Sequence, residues 1–218
     1  IDHHGSNRQY ARINWVDSRA AATAEMIWEL LPFLGIEADQ AIASCIFTGL
    51  TTDTGCFRYS STTPRTHRIA AQLMERGAPA GEITRNLFDT KTMSLLEMER
   101  RATDSLRFYY GDRCAVIAVT LEMIRESGAG EDDLEGLAGI PRQVEGVLVG
   151  VTLGEKEPGE FKVSVRAEAP LSAAEICAVY GGGGHNTAGG CSLSGSLSGV
   201  REKMVRAVEQ AFREKGLL

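Results

Sequence analysis

The strongest constraint on this fold is a change of hydrophobic period near Leu106. Upstream, apolar residues recur at helical spacing. Thr23, Ile27, Leu30, Leu31 and Leu34 form one such stripe, with Ser18 in N-cap position and Gly35 closing it. Asp39 opens a second, with Ile42, Cys45, Ile46, Gly49 and Leu50 on its apolar face, and it stops in Thr51-Thr52-Asp53-Thr54-Gly55, a loop composition. Thr63-Pro64 starts a third, carrying Ile69, Ala70 and Leu73 and ending at Gly77. A short helix follows around Glu82 to Phe88. Downstream, Leu106, Phe108 and Tyr110 alternate, Gly111-Asp112 turns the chain, and Cys114 to Thr120 is β-rich, which predicts a hairpin.

Val144 to Leu153 and Phe161 to Ala167 read as two more strands, joined through the polar segment Glu155 to Glu160. A helix from Ser172 to Val179 leads into Gly181-Gly182-Gly183-Gly184-His185, and an amphipathic helix from about Val200 to Lys215 ends the chain. The fold class expected is α/β in two domains. Residues 1–91 are the C-terminal part of a parallel-sheet α/β domain, residues 92–105 a connector helix, and residues 106–218 a smaller α+β domain.

The chemistry is concentrated in three places. Ile1-Asp2-His3-His4 runs into Gly5-Ser6-Asn7, as a buried strand breaks into a loop, and carboxylate with imidazole suits manganese, iron or zinc. Asp53, before the permissive Gly55, is a second ligand candidate, although a helix-end cap is the plainer use of such a residue. The glycine run before His185 frees backbone N–H groups to face an anion, and Arg166 at a strand end can present a guanidinium to the same anion. Arg58 carries less weight, His67 reads as a surface histidine, and Asp17 as N-terminal helix chemistry.

A net charge of -6 argues against an extended basic stripe for long nucleic acid, while leaving room for a short nucleotide held locally. The five cysteines, Cys45, Cys56, Cys114, Cys177 and Cys191, are scattered without paired spacing and read as reduced, mostly buried thiols of a cytoplasmic protein. No apolar run approaches a membrane span.

Together Asp2-His3-His4 with Asn7, Thr52-Asp53-Thr54-Gly55 with Phe57, Thr62-Thr63-Pro64 and Gly182-Gly183-Gly184-His185 resemble, in order and spacing, the DHH phosphoesterase superfamily with its DHH-associated (DHHA1) domain. Within it the chain is most similar to bacterial nanoRNase/pAp phosphatases. The resemblance implies a manganese-dependent hydrolase of short oligonucleotides and nucleotide phosphates that works by a two-metal mechanism. It implies His3 and Asp53 as metal ligands with Asp2 supporting them, and His4 close to the scissile phosphate. Arg166, Gly182, Gly183, Gly184 and His185 would hold the substrate's end. The family's upstream motifs, a histidine and several aspartates, would lie before Ile1, so this chain alone is expected to be inactive. Ala167 stands where relatives often have serine.

A cyclic-dinucleotide phosphodiesterase, a RecJ-like single-strand exonuclease and a non-catalytic RNA- or nucleotide-binding module are the competing readings, and a homodimer is open as an assembly.

Overall fold

The computed structural model describes residues 1–5, 7–130 and 132–218, so Ser6 of the expected Gly5-Ser6-Asn7 turn lies outside the described residues. The chain divides into two compact units, Ile1–Lys91 and Thr92–Leu218.

In the first unit, α1 spans Thr23–Leu30 and tightens into a 3₁₀ turn, Leu31–Leu34, closed by left-handed Gly35. Ser18 does not cap it. The N-cap is Ala22, whose side chain has no acceptor to offer. Helix α2 (Gln40–Asp53) starts at Asp39, whose carboxylate accepts from the Ile42 N–H. Its buried face is Ala43, Ile46, Phe47, Leu50 and Thr51, one step round from the stripe expected, which leaves Cys45 exposed. The Thr51–Gly55 segment is not a loop throughout. Thr51 and Thr54 are fully buried and return their hydroxyls to the Phe47 and Leu50 carbonyls, so the helix continues to Asp53. Helix α3 (Pro64–Glu75) has Pro64 at its first position and a capping box between Thr63 and Thr66. A short α4 (Ala80–Thr84) runs into a π turn, Arg85–Asp89. Leu31, Ile46, Phe47, Leu50, Ile69 and Leu73 form the core of this unit.

The strand expected to end at Ile1 is a single parallel bridge from Asp2 to Val16, and Ile1 is 54% exposed rather than buried.

The second unit opens with α5 (Met93–Asp104), capped by Thr92. Its Met98 and Ala102 pack with Ile117, Val119 and Leu137, so this helix is part of the second unit's core. Then follow β1 (Arg107–Tyr109), β2 (Cys114–Val119), α6 (Leu121–Ser127) and a 3₁₀ segment (Asp132–Gln143). Next come β3 (Val149–Glu157), β4 (Glu160–Ala167), α7 (Ala173–Ala178), β5 (Gly183–Gly184), β6 (Ala188–Ser194) and α8 (Leu197–Glu214). The order across the sheet is β1-β2-β3-β4-β6-β5. Only the β2–β3 pair is parallel, and α6 with the 3₁₀ segment makes the long connection that a parallel pair requires.

Strand β3 starts later than the sequence pattern predicts. Residues 155–160 are not a polar linker but the ends of two strands joined by Pro158-Gly159, with Gly159 left-handed. Strand β4 alternates cleanly. Phe161, Val163, Val165 and Ala167 enter the core under α7 and α8, and Lys162, Ser164 and Arg166 take the other face. Strand β2 is buried along its whole length, because helices cover the sheet on both sides there.

Candidate active site

The Asp2-His3-His4 turn is held by its own carboxylate. One Asp2 oxygen accepts from the His4 backbone N–H at 3.0 Å and faces His4 Nδ1 at 2.7 Å; the other accepts from Asn7 Nδ2 at 2.6 Å. The Asn7 bond first, then those from His4, hold the Asp2 carboxyl well below the usual carboxylate range. Both oxygens of Asp2 are therefore spent on shaping the turn. A carboxylate only accepts, so His4 carries its proton on Nδ1 and turns Nε2 outward.

His3 is oriented from its other side. Its Nδ1 lies 3.3 Å from the Ala20 carbonyl oxygen, and a carbonyl can only accept, so this nitrogen bears the proton. His3 then turns Nε2 towards Oδ2 of Asp53, 3.5 Å away. An imidazole nitrogen and a carboxylate oxygen face each other, an ion pair when the ring is protonated and two metal donors when it is neutral. That is the donor set of a cation site, with a backbone carbonyl fixing the tautomer behind it.

Asp53 is not a helix cap. It is the last residue of α2, where free carbonyls point outward; a carboxylate has no hydrogen to give them and sits at the negative end of the helix dipole. The main chain then makes a left-handed turn, with φ of 55° at Gly55, 58° at Cys56 and 61° at Phe57. Positive φ at two successive non-glycine residues is costly and needs outside support. Phe57 gets it by stacking on His67, ring centroids 5.3 Å apart, and Arg58 gives its Nε–H to the Gly55 carbonyl at 2.6 Å. The Tyr59 ring lies flat over Gly55, leaving no room for a Cβ there.

Sequence reasoning passed over the residue that fastens this unit. Glu25 is completely buried. Its carboxylate accepts from the Ala21 N–H at 3.1 Å and from the Thr66 hydroxyl at 2.5 Å, with Arg65 Nε 3.9 Å away. It thus ties the segment that carries the Ala20 carbonyl to the N-terminus of α3. A glutamate on the third residue of a helix is a known N-terminal signal, but its usual Ser or Thr partner is missing here, so the pattern was not complete.

In the second unit, Arg166 and Ala188 are register partners across β4 and β6, which brings the glycine hairpin beside the arginine's strand position. Part of the glycine run spends its N–H groups inside the fold. The Gly181 and Gly182 N–H groups bond Ala178 and Cys177 carbonyls, and His185 N–H bonds the Ala188 carbonyl at 2.7 Å. Gly182 and Gly184 are there for close packing. A Cβ on Gly182 would lie 2.5 Å from Cys191 Cβ, and one on Gly184 would lie 2.7 Å from Gly189 Cα. Gly183 has open space around it, and His185 is exposed at the turn. The His185 and Asn186 carbonyls accept the first free N–H groups of α7, from Ala174 and Ala173, which fixes the turn to the helix.

Among the described residues, no group of three or more His, Cys, Asp or Glu side chains converges as a complete metal site. His3 and Asp53 are two donors of a larger set.

Residues 112–214 match the DHHA1 domain model. The chain is 36% identical over its whole length to the bifunctional oligoribonuclease and PAP phosphatase NrnA of Thermus thermophilus, covering 65% of that protein. It is 26% identical to the Bacillus subtilis protein of the same name, over 88% of this chain and 61% of the relative. The chain thus spans less than two thirds of the length of these relatives. A solved exopolyphosphatase-related protein from Bacteroides fragilis superposes on 98% of this chain and 62% of its own, with a TM-score of 0.86 at 27% identity. The similarity runs through both units: the second half carries a DHHA1 domain, and the chain as a whole is similar to these oligoribonuclease and phosphatase relatives.

Proposed function

We propose that this chain supplies part of the catalytic centre and the substrate-binding domain of a manganese-dependent phosphoesterase acting on short oligonucleotides and on 3′-phosphoadenosine 5′-phosphate. The observation that carries this reading is the meeting of His3 Nε2 and Asp53 Oδ2 at 3.5 Å, on a carboxylate that serves no helix end. The two bacterial relatives, oligoribonuclease and PAP phosphatase by name, supply the substrate class.

His3 and Asp53 would ligate divalent metal, with Asp2 shaping the turn that presents His3. Bound divalent ions would offset charge on the phosphoryl oxygens and activate an attacking water; a two-metal centre holds its ions about 4 Å apart and needs further carboxylates to bridge them. His4, held by Asp2 at Nδ1, would as an imidazolium give its Nε2–H to the scissile phosphate or to the leaving oxygen. Arg166 and His185 would bind the anionic end of the substrate, and the bare backbone at Gly183 admits it closely, between the tightly packed Gly182 and Gly184.

The test is hydrolysis of a 5′-phosphorylated dinucleotide with manganese, by this chain and by a version extended to the length of its relatives. Turnover by the extended form, abolished by His3→Ala at saturating manganese, is the expected result. Near-normal turnover of that variant refutes His3 as a ligand.

Binding without turnover is the second reading for this chain alone. It is favoured by the absence of a third metal donor beside His3 and Asp53 among the described residues. Nucleotide binding with no hydrolysis by the extended form would bring it forward.

A further inference from the structure

The face of the sheet opposite α7 and α8 carries a recess, of which the proposed function uses only Arg166. The register sets Thr152 of β3 beside Ser164 of β4, and Gly154 beside Lys162. The two small glycine and serine positions leave a polar ledge with Lys162 at one side and Arg166 at the other. Above it lies a cavity of about 530 Å³, and its far wall is apolar, built from Ile124 of α6 and from Leu134 and Leu137 of the 3₁₀ segment. A volume of that size suits a mononucleotide rather than a bare anion.

One atom in this recess marks it as a binding site. Thr152 is 93% buried by its 7% relative exposure and lines the cavity, yet its Oγ1 has no hydrogen-bond partner among the described residues. A buried hydroxyl without a partner is costly, and valine would fill the same β-branched shape without that cost. Lys162 stands on the same face with no ion pair among the described residues, so its charge is available to a ligand. Three cations (Lys156, Lys162 and Arg166), two hydroxyls and an apolar wall around one cavity match an anion joined to a sugar and a flat apolar ring, and the Glu155 carboxylate that also lines it is engaged by the Leu121 and Gly159 N–H groups.

We propose that this cavity is a nucleoside-phosphate subsite, in which Lys162 binds the phosphate, Thr152 and Ser164 bond the ribose, and the Leu134–Leu137 wall covers a face of the base. The choice of a nucleotide among anionic ligands rests on the function proposed above; the cavity and its unpartnered hydroxyl do not.

Calorimetric titration of the whole chain without metal tests it, using adenosine 5′-monophosphate, adenosine and inorganic phosphate in parallel. The nucleotide should bind about tenfold or more tightly than either fragment. Thr152→Val should weaken it about fivefold and Lys162→Met about tenfold, with Thr152→Ser restoring most of the loss. A Thr152→Val protein whose melting temperature is kept or raised shows that the loss is not misfolding.

Equal affinity for phosphate and nucleotide would leave an anion hole and overturn the subsite. So would nucleotide binding that neither variant changes, or no binding at all. Because no turnover is measured, the outcomes separate. Nucleotide binding as described with an inactive extended enzyme removes the hydrolase reading alone, and an active enzyme with unaltered binding in both variants removes the subsite alone.

Discussion

Asp2 shows how much of this site depends on single hydrogen bonds. Its folded-state pKa lies below the ordinary 3.8, with the Asn7 amide as the largest cause. A depressed carboxylate favours the folded state at every pH above 3.8, and that contribution fades only as pH falls through the folded value. Asn7→Ala should therefore move the Asp2 titration midpoint up towards 3.8, read from its carboxyl carbon by NMR; an unmoved midpoint would assign the shift to His4 alone. Glu25 is the opposite case, a carboxylate with no water to fall back on. Glu25→Ala leaves the Ala21 N–H and the Thr66 hydroxyl without their partner and should cost about 2–3 kcal/mol of stability, measured by denaturant unfolding. A loss under about 0.5 kcal/mol would mean that Thr66 and Ala21 find other partners.

At the scale of elements, what was legible depended on whether the signal was local. Asp39, Thr63-Pro64, Thr92 and Ser172 all announce helix starts, and each is an N-cap in the structure, because capping is a contact across three residues. Ser18 carried the same signal and failed, since the competing cap, Glu25, works from inside the helix and is sheltered by another element. The continuation of α2 through Thr51 was hidden for a related reason. Threonine counts as polar in a pattern, but it can return its hydroxyl to the preceding turn and be buried. Asp53 was legible as a candidate ligand, while its weight against a cap came only from knowing which end of a helix it occupies. The glycine run was ambiguous in the sequence, because four glycines look alike whether they bend towards a ligand or lie against a neighbouring strand. Their contacts predict that Gly184→Ala, with φ of 139° and Gly189 Cα in the way, costs about 2 kcal/mol or more in the second unit. Urea unfolding of that variant, followed by circular dichroism, checks this, and a neutral result would mean that the hairpin can open without loss.

For the whole molecule, the shift from helical to alternating periodicity was the reliable guide, because it reflects which surface each segment buries. Each unit has its own core, so residues 92–218 made alone should unfold in one cooperative transition. In that fragment Phe212→Ala, which empties a fully buried aromatic site under the sheet, should cost about 3–5 kcal/mol. Amide protection absent from the isolated fragment would show that it borrows stability from the rest of the chain. The parts that the sequence left unread, α6, the 3₁₀ segment and the cavity between them and the sheet, share one cause. They are short or irregular, and their apolar residues face the sheet over intervals with no regular period.

The ends of the sheet have a bearing on how crowded copies of this protein behave. The outermost strands, β1 and β5, are three and two residues long. Just before β1 begins, the Ser105 hydroxyl accepts the Ala118 N–H at 2.9 Å and gives its own hydrogen to the Ala102 carbonyl at 2.6 Å, taking the acceptor's place of a neighbouring strand. A growing cross-β ladder needs a long bare rim on which to add its next rung. This domain has a side chain plugging one rim and a stub of glycines on the other, so an assembly made through it has to meet surface to surface, not by lengthening the sheet.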